Sequence, residues 1–215
     1  FDEFDSSNTS KWVYTTGHNY GFSNDGTGYG FGIWFSGDAN GDVATRTVRT
    51  FPNNIIIESR LYKNVACADH FIYISTSNSA TWDWVSTSNI IRFVWNCDSK
   101  YIYGQSTSTY ISRPDENHYD IQITITPSSV VFKDWKTANP SDTDTRSLSD
   151  TLDNFYIYIG ADQDDTAYKS YFYWIRVRKY TSPEPTTIVG DEQLTLTDSQ
   201  GNYNYTFLAP LEAGT

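Results

Sequence analysis

The chain has 215 residues, 38% hydrophobic and 17% aromatic, with 26 acidic against 15 basic side chains and a formal net charge of −11. So few cations leave no footprint for neutralising a row of phosphates, which sets nucleic acid aside as a partner. No run approaches the roughly 20 consecutive apolar residues of a membrane-spanning helix either.

Helical periodicity is nearly absent and period-two alternation recurs, so the predicted elements are strands. In chain order they cover 30–36, 44–50, a run in which Ile55, Ile57 and Leu61 oppose Glu58 and Arg60, then 71–76, 89–95 and 101–104. Tyr119, Ile121, Ile123 and Ile125 alternate with Asp120, Gln122 and Thr124, and further runs fill 129–135, 155–160 and 171–180. Asp38-Ala39-Asn40-Gly41-Asp42 is a hairpin-turn signal, because Asn-Gly accepts positive φ. Many short strands separated by such turns predict an all-β fold of two packed antiparallel sheets.

Thr181 to Thr187 carries two prolines and breaks the pattern, dividing the chain into a sandwich over 1–180, a linker over 181–187 and a segment over 188–215. Within that last segment 193–196 and 203–207 form a candidate hairpin, marginal alone and so expected to rest on the sandwich, on a missing domain or on a neighbouring chain. Cys67 and Cys97 flank the strands over 71–76 and 89–95. If Ile74 faces Ile90, the two cysteines fall opposite each other, and a disulfide there contributes about 3–4 kcal/mol. Asn8-Thr9-Ser10 and Asn204-Tyr205-Thr206 are glycosylation sequons. The chain contains no Met, as expected of a mature or excised segment of a longer precursor.

Phe1-Asp2-Glu3-Phe4-Asp5 with Ser10-Lys11-Trp12 resembles the opening of concanavalin A-like (laminin-G-like) jelly-roll domains. Tyr173-Trp174-Ile175-Arg176-Val177-Arg178-Lys179-Tyr180 with Ser182-Pro183-Glu184-Pro185 resembles the closing strand and linker of the DUF2341-associated type found in archaeal and bacterial surface proteins. Residues 198–215 are similar to the middle of an Ig-like repeat. The resemblance implies a jelly-roll sandwich with a C-terminal hairpin extension, in a secreted or cell-surface modular protein that binds glycan or adheres.

Several constellations could carry chemistry. The Glu-x-Asp-x-x-Glu signature of laminarinase-type retaining hydrolases is missing, and Glu58-Ser59-Arg60 offers an ion-pair face. A lyase would want His, Tyr and Arg on one face, and His70, Tyr73 and Arg92 are the candidates. Neither pattern is strong, and a non-catalytic module is the expectation. For Ca²⁺, which takes six to eight oxygens, Asp162, Asp164 and Asp165 form the leading loop. Asp2, the 38–42 loop and the Asp142-Thr143-Asp144 stretch, taken as a polar loop, are alternatives. For glycan stacking, Trp82-Asp83-Trp84 stands first, between Ser- and Thr-rich stretches where a core tryptophan is unexpected. Trp34, Tyr73, Tyr101 and Tyr103 are further platforms with Arg92 and Asn96 as polar partners, while Trp12, Trp95, Trp135 and Trp174 are assigned to packing. The expected partner is a polysaccharide or cell-surface glycan outside the cell. The alternatives are a filament or surface-layer subunit that self-associates through 188–215, and a polysaccharide hydrolase or lyase.

Overall fold

The computed structural model describes residues 7–14, 19–24, 26, 31–36, 43–63, 69–78, 89–95, 99–104, 108–112, 117–162 and 169–183. By its contacts the chain divides into a unit of 1–181 and a unit of 182–215. The described residues form strands and no helix. In order they are β1 (Trp12–Tyr14), β2 (Asn19–Asn24), β3 (Phe31–Ser36), β4 (Val43–Thr47), β5 (Ile55–Lys63), β6 (Asp69–Ser75) and β7 (Ile90–Trp95). Then come β8 (Ser99–Tyr103), β9 (Ser108–Ser112), β10 (Asn117–Ile125), β11 (Val130–Lys136), β12 (Asn139–Leu148), β13 (Tyr156–Asp162) and β14 (Ser170–Lys179).

They assemble into two seven-stranded sheets, β1-β4-β13-β6-β7-β8-β9 and β12-β11-β10-β5-β14-β3-β2. Every pairing is antiparallel. Alternation sends Ile55, Ile57, Leu61, Tyr119, Ile121, Ile123 and Ile125 of the second sheet to the same core as Ile72, Ile74, Ile91, Phe93, Ile157 and Ile159 of the first. Phe93 stacks on Phe132 across the gap, with centroids 5.3 Å apart and planes 15° from parallel. His70 is also enclosed here, its Nε2–H donating to the Tyr62 carbonyl at 2.8 Å.

The first sheet carries a second buried cluster on its opposite face, made of Phe71, Tyr73, Ile90, Val94 and Tyr158. Its central strands are buried on both faces, which is why β6, β7 and β13 read as nearly continuous apolar runs. This arrangement also sets the register. Ile74 pairs with Ile91, not with Ile90, because Ile74 and Ile91 both face the inter-sheet core whereas Ile90 belongs to the other face. The pairing expected to set Cys67 opposite Cys97 is therefore off by one residue; the cysteines themselves lie outside the described residues.

Candidate functional site

The described surface richest in functional side chains is the outer face of the second sheet. On β3, Ile33 and Phe35 point into the core, so Trp34 between them points out. Register then aligns Gly21, Trp34, Tyr171, Tyr62 and His118 in one row across β2, β3, β14, β5 and β10. The rings of Tyr62 and His118 stack with centroids 4.3 Å apart, and Tyr171 stands 6.4 Å from Tyr62. A bulge between Phe172 and Trp174 brings in Tyr173, whose hydroxyl lies 2.9 Å from His118 Nε2. The aromatic ladder is tightly packed: His118 is 8% exposed and Tyr173 3%.

The next row holds Trp174, Arg60, Asp120 and Trp135. Arg60 grips Asp120 through Nε at 2.7 Å and Nη2 at 3.1 Å, a two-pronged geometry suited to a planar guanidinium. One row further, the Glu58 carboxylate accepts from Arg176 Nε at 2.6 Å, Arg178 Nη2 at 3.3 Å and Gln122 Nε2 at 3.2 Å. Burial by itself raises the Glu58 pKa, but the hydrogen bonds from Arg176, Arg178 and Gln122, joined by the Arg176 charge, outweigh it and hold the carboxyl below its ordinary value.

A depressed folded-state pKa contributes stability above the unfolded value that is lost as pH falls through the folded one. Glu58→Gln is therefore expected to lower the melting temperature at neutral pH. The difference from the parent should narrow as pH falls below the ordinary glutamate range and vanish once the carboxyl is protonated in the folded protein. Melting curves from pH 7 to pH 3 check this; a constant gap across that range would show that the ionised carboxylate is not the stabilising form.

Two indoles on this face are half-buried, and each carries a lysine. Lys169 Nζ sits 4.1 Å from the Trp34 ring centroid, and Lys133 Nζ 5.5 Å from that of Trp135. Such a contact at a partly exposed ring is worth about 0.5–1 kcal/mol. Trp174, also half-buried, lies between these stations. From β3 to β11 is four strand steps, about 19 Å at the usual spacing.

The sequence-predicted residues divide between this face and other places. Trp34 is on it. Trp135 and Trp174, expected in the core, are on it as well, because the alternation of β11 and the bulge in β14 turn them outward. Trp12 is buried as expected, at 3% exposure. Tyr73 and Arg92 lie on the first sheet, where register sets Arg46, Tyr158, Tyr73, Arg92 and Tyr103 in one row. Contrary to expectation they are not open platforms: Tyr73 is 1% exposed and stacked at 4.4 Å on Tyr158, and Arg92 is 5% exposed.

The proposed trio of His70, Tyr73 and Arg92 does not converge, since His70 faces the inter-sheet core and the other two face away from it. The hydrogen bond between His118 and Tyr173 has no signature in the alternation, because a bulge creates it. The side chains of Tyr101 and Tyr103, and the residues Trp82, Asp83, Trp84 and Asn96, lie outside the described residues. So do Asp2, Asp164, Asp165 and the side chain of Asp162, whose backbone closes β13 opposite Asp69.

Asp142-Thr143-Asp144 is not in a loop but in β12. Lys136 Nζ lies 3.6 Å from Asp142, and Asp144 faces the fully buried Asp134 in register. Among the described residues no three His, Cys, Asp or Glu side chains gather as a metal site would require. Of the two sequons, Asn8 is half-buried, with its Oδ1 accepting from Ser10 Oγ at 2.7 Å, and Asn204 is outside the described residues.

No family model and no curated protein matches the chain. Among solved structures it is similar to lectin I-B4 from Griffonia simplicifolia, with a TM-score of 0.57 at 9% identity over 83% of this chain and 97% of that one. It is also similar to the exoplasmic/lumenal domain of VIP36 in its Ca²⁺/Man3GlcNAc-bound form, with a TM-score of 0.57 at 8% identity over 86% and 90%. A third likeness is to the Bacillus licheniformis β-glucanase, with a TM-score of 0.50 at 13% identity over 82% and 96%. The two antiparallel sheets thus have the jelly-roll fold of these lectins and this glucanase.

Proposed function

We propose that the protein is a non-catalytic carbohydrate-binding module that takes its glycan on the outer face of the second sheet. The observation carrying this reading is the pair of half-buried indoles, Trp34 and Trp135, set on one face with Trp174 and the Arg60–Asp120 pair between them. Flat apolar rings receive the apolar faces of sugars, and fixed charged groups between them receive hydroxyls. The solved neighbours include lectins and a glucanase, and the fold is compatible with either role. The resemblance of 173–185 to modules of surface proteins supports a place in a secreted or cell-surface modular protein.

Trp34→Ala and Trp135→Ala are each expected to weaken binding about tenfold, or ~1.4 kcal/mol, in calorimetric titrations against a panel of oligosaccharides and polysaccharides. Undiminished affinity in both variants would remove the site from this face. A second reading, elimination on a polysaccharide, is favoured by the 2.9 Å His118–Tyr173 contact, a pair able to hold and pass a proton, one row from Arg60. Enclosure of both rings favours a positioning role instead. Unsaturated, ultraviolet-absorbing ends accumulating during prolonged incubation with the same polymers would establish the second reading over the first.

A further inference from the structure

The charges on this face run against those of the whole protein. The chain carries 26 acids and 15 bases. On the outer face of the second sheet the described side chains include five cations, Arg60, Lys133, Lys169, Arg176 and Arg178, against two carboxylates, Glu58 and Asp120. Five less two leaves three positive charges in excess.

Their arrangement also matters. Arg60 and Asp120 neutralise each other, and Glu58 is shared by two arginines. Lys133 and Lys169 are paired with no carboxylate among the described residues and rest on indole rings instead. Each station therefore pairs a flat apolar ring with an ammonium lying over it.

We infer that the ligand is an anionic polysaccharide whose carboxylates meet Lys169 and Lys133 while its rings cover Trp34 and Trp135. The inference rests on the proposed glycan-binding role and names its substrate class. A uronate carries its carboxylate at the rim of a ring that is apolar on its faces, so its carboxylate can draw the ammonium off the indole to the rim while its ring takes the place over the indole. The lysine–indole contact is weak enough to be exchanged for a charge-assisted hydrogen bond to the incoming carboxylate.

Separation of the stations by four strand steps, about 19 Å, requires a chain of several sugars, because a monosaccharide cannot reach both. The acidic remainder of the protein does not cancel the effect. At 0.15 M ionic strength the screening length is about 8 Å, so a polymer lying on this face is governed by the charges beneath it.

The test uses the full chain and five polymers: polygalacturonate, its fully methyl-esterified form, dextran sulfate, dextran and an oligothymidylate. Affinity is measured at several salt concentrations. Polygalacturonate is expected to bind at least tenfold more tightly than its ester, which has the same backbone without the charge, and to weaken steeply between 50 and 300 mM salt. Lys133→Gln and Lys169→Gln are each expected to reduce polygalacturonate affinity severalfold and flatten the salt dependence, while the loss of one lysine–indole contact lowers the melting temperature by no more than about 4 °C.

Preference for polygalacturonate over dextran sulfate identifies the carboxylate as the recognised group, and the reverse preference identifies sulfate within the same anionic class. Equal binding of acid and ester, lost in Trp34→Ala, overturns the charge inference and leaves the glycan-binding reading intact. Binding of oligothymidylate as tight as that of the polysaccharides overturns it in favour of a general polyanion surface. Binding to none of the five overturns both.

Discussion

Replacing Phe132 by Ala is expected to cost about 3–5 kcal/mol of stability, the range for truncating a fully buried aromatic side chain. Phe132 is 2% exposed and Phe93, its partner across the sandwich, 0%, and their near-parallel stack ties β11 to β7. Neither sheet can move to fill the gap without disturbing isoleucines packed on both sides, so most of the cavity remains. In a unit of this size the loss corresponds to a fall of about 10 °C in melting temperature. Phe93→Ala is expected to cost a similar amount. The double variant should cost less than the sum, because the second truncation removes contacts already lost. Urea unfolding of the three variants measures this; losses below about 1 kcal/mol in both single variants would mean that the sheets do not pack face to face at this point.

Much of this core is visible in the amino-acid order. Strands that bury one face show alternation, as β5 and β10 do, and strands that bury both faces show unbroken apolar runs, as β6 and β13 do. The strands that escape notice are β1, β2, β9 and β12, and these are the four sheet edges. An edge strand bonds to one neighbour and shares little of the core, so its residues are free to be polar, and β12 accordingly resembles a loop rich in Asp, Thr and Ser. Register is legible only when both faces are considered. Ile90 and Ile91 are chemically identical, and what separates them is that Phe93 follows Ile91 by two and continues the inner face.

The candidate site was less visible, for a related reason. Alternation says which residues share a face and does not say whether that face is open. Tyr73 and Arg92 stand on the face of the first sheet opposite the inter-sheet core, yet that face is buried too. Tryptophan is a usual core residue and Trp174 stands between Tyr173 and Ile175, yet pairing of Trp135 with Asp120 and of Trp174 with Arg60 puts both indoles among charges. Tyr173 reaches His118 only through a bulge, and a bulge shifts every later residue of its strand by one without any mark in the composition. The sharing of Glu58 between Arg176 and Arg178 follows directly from their i, i+2 spacing on one strand, and was open to inspection once β14 was set beside β5.

Gly21→Val is expected to lower glycan affinity by up to about tenfold, as much as Trp34→Ala does, while leaving the fold intact. Gly21 lies opposite Trp34 in the β2–β3 register, and a Cβ added there would come within 2.6 Å of the indole six-membered ring and 2.8 Å of its bridging carbon. No ring atom tolerates that approach, so the indole must rotate away and Lys169 loses the surface on which it rests. The backbone has no such difficulty. β2 is an edge strand, its glycine is not among those with positive φ, and valine suits an extended chain better than glycine does. Stability should therefore hold or rise slightly as affinity falls, opposite to the pattern of a core defect. The decisive comparison is the double variant with Trp34→Ala. If glycine acts only by seating the indole, adding Gly21→Val to Trp34→Ala costs no further affinity, and an additive loss would assign Gly21 a contact of its own with the ligand.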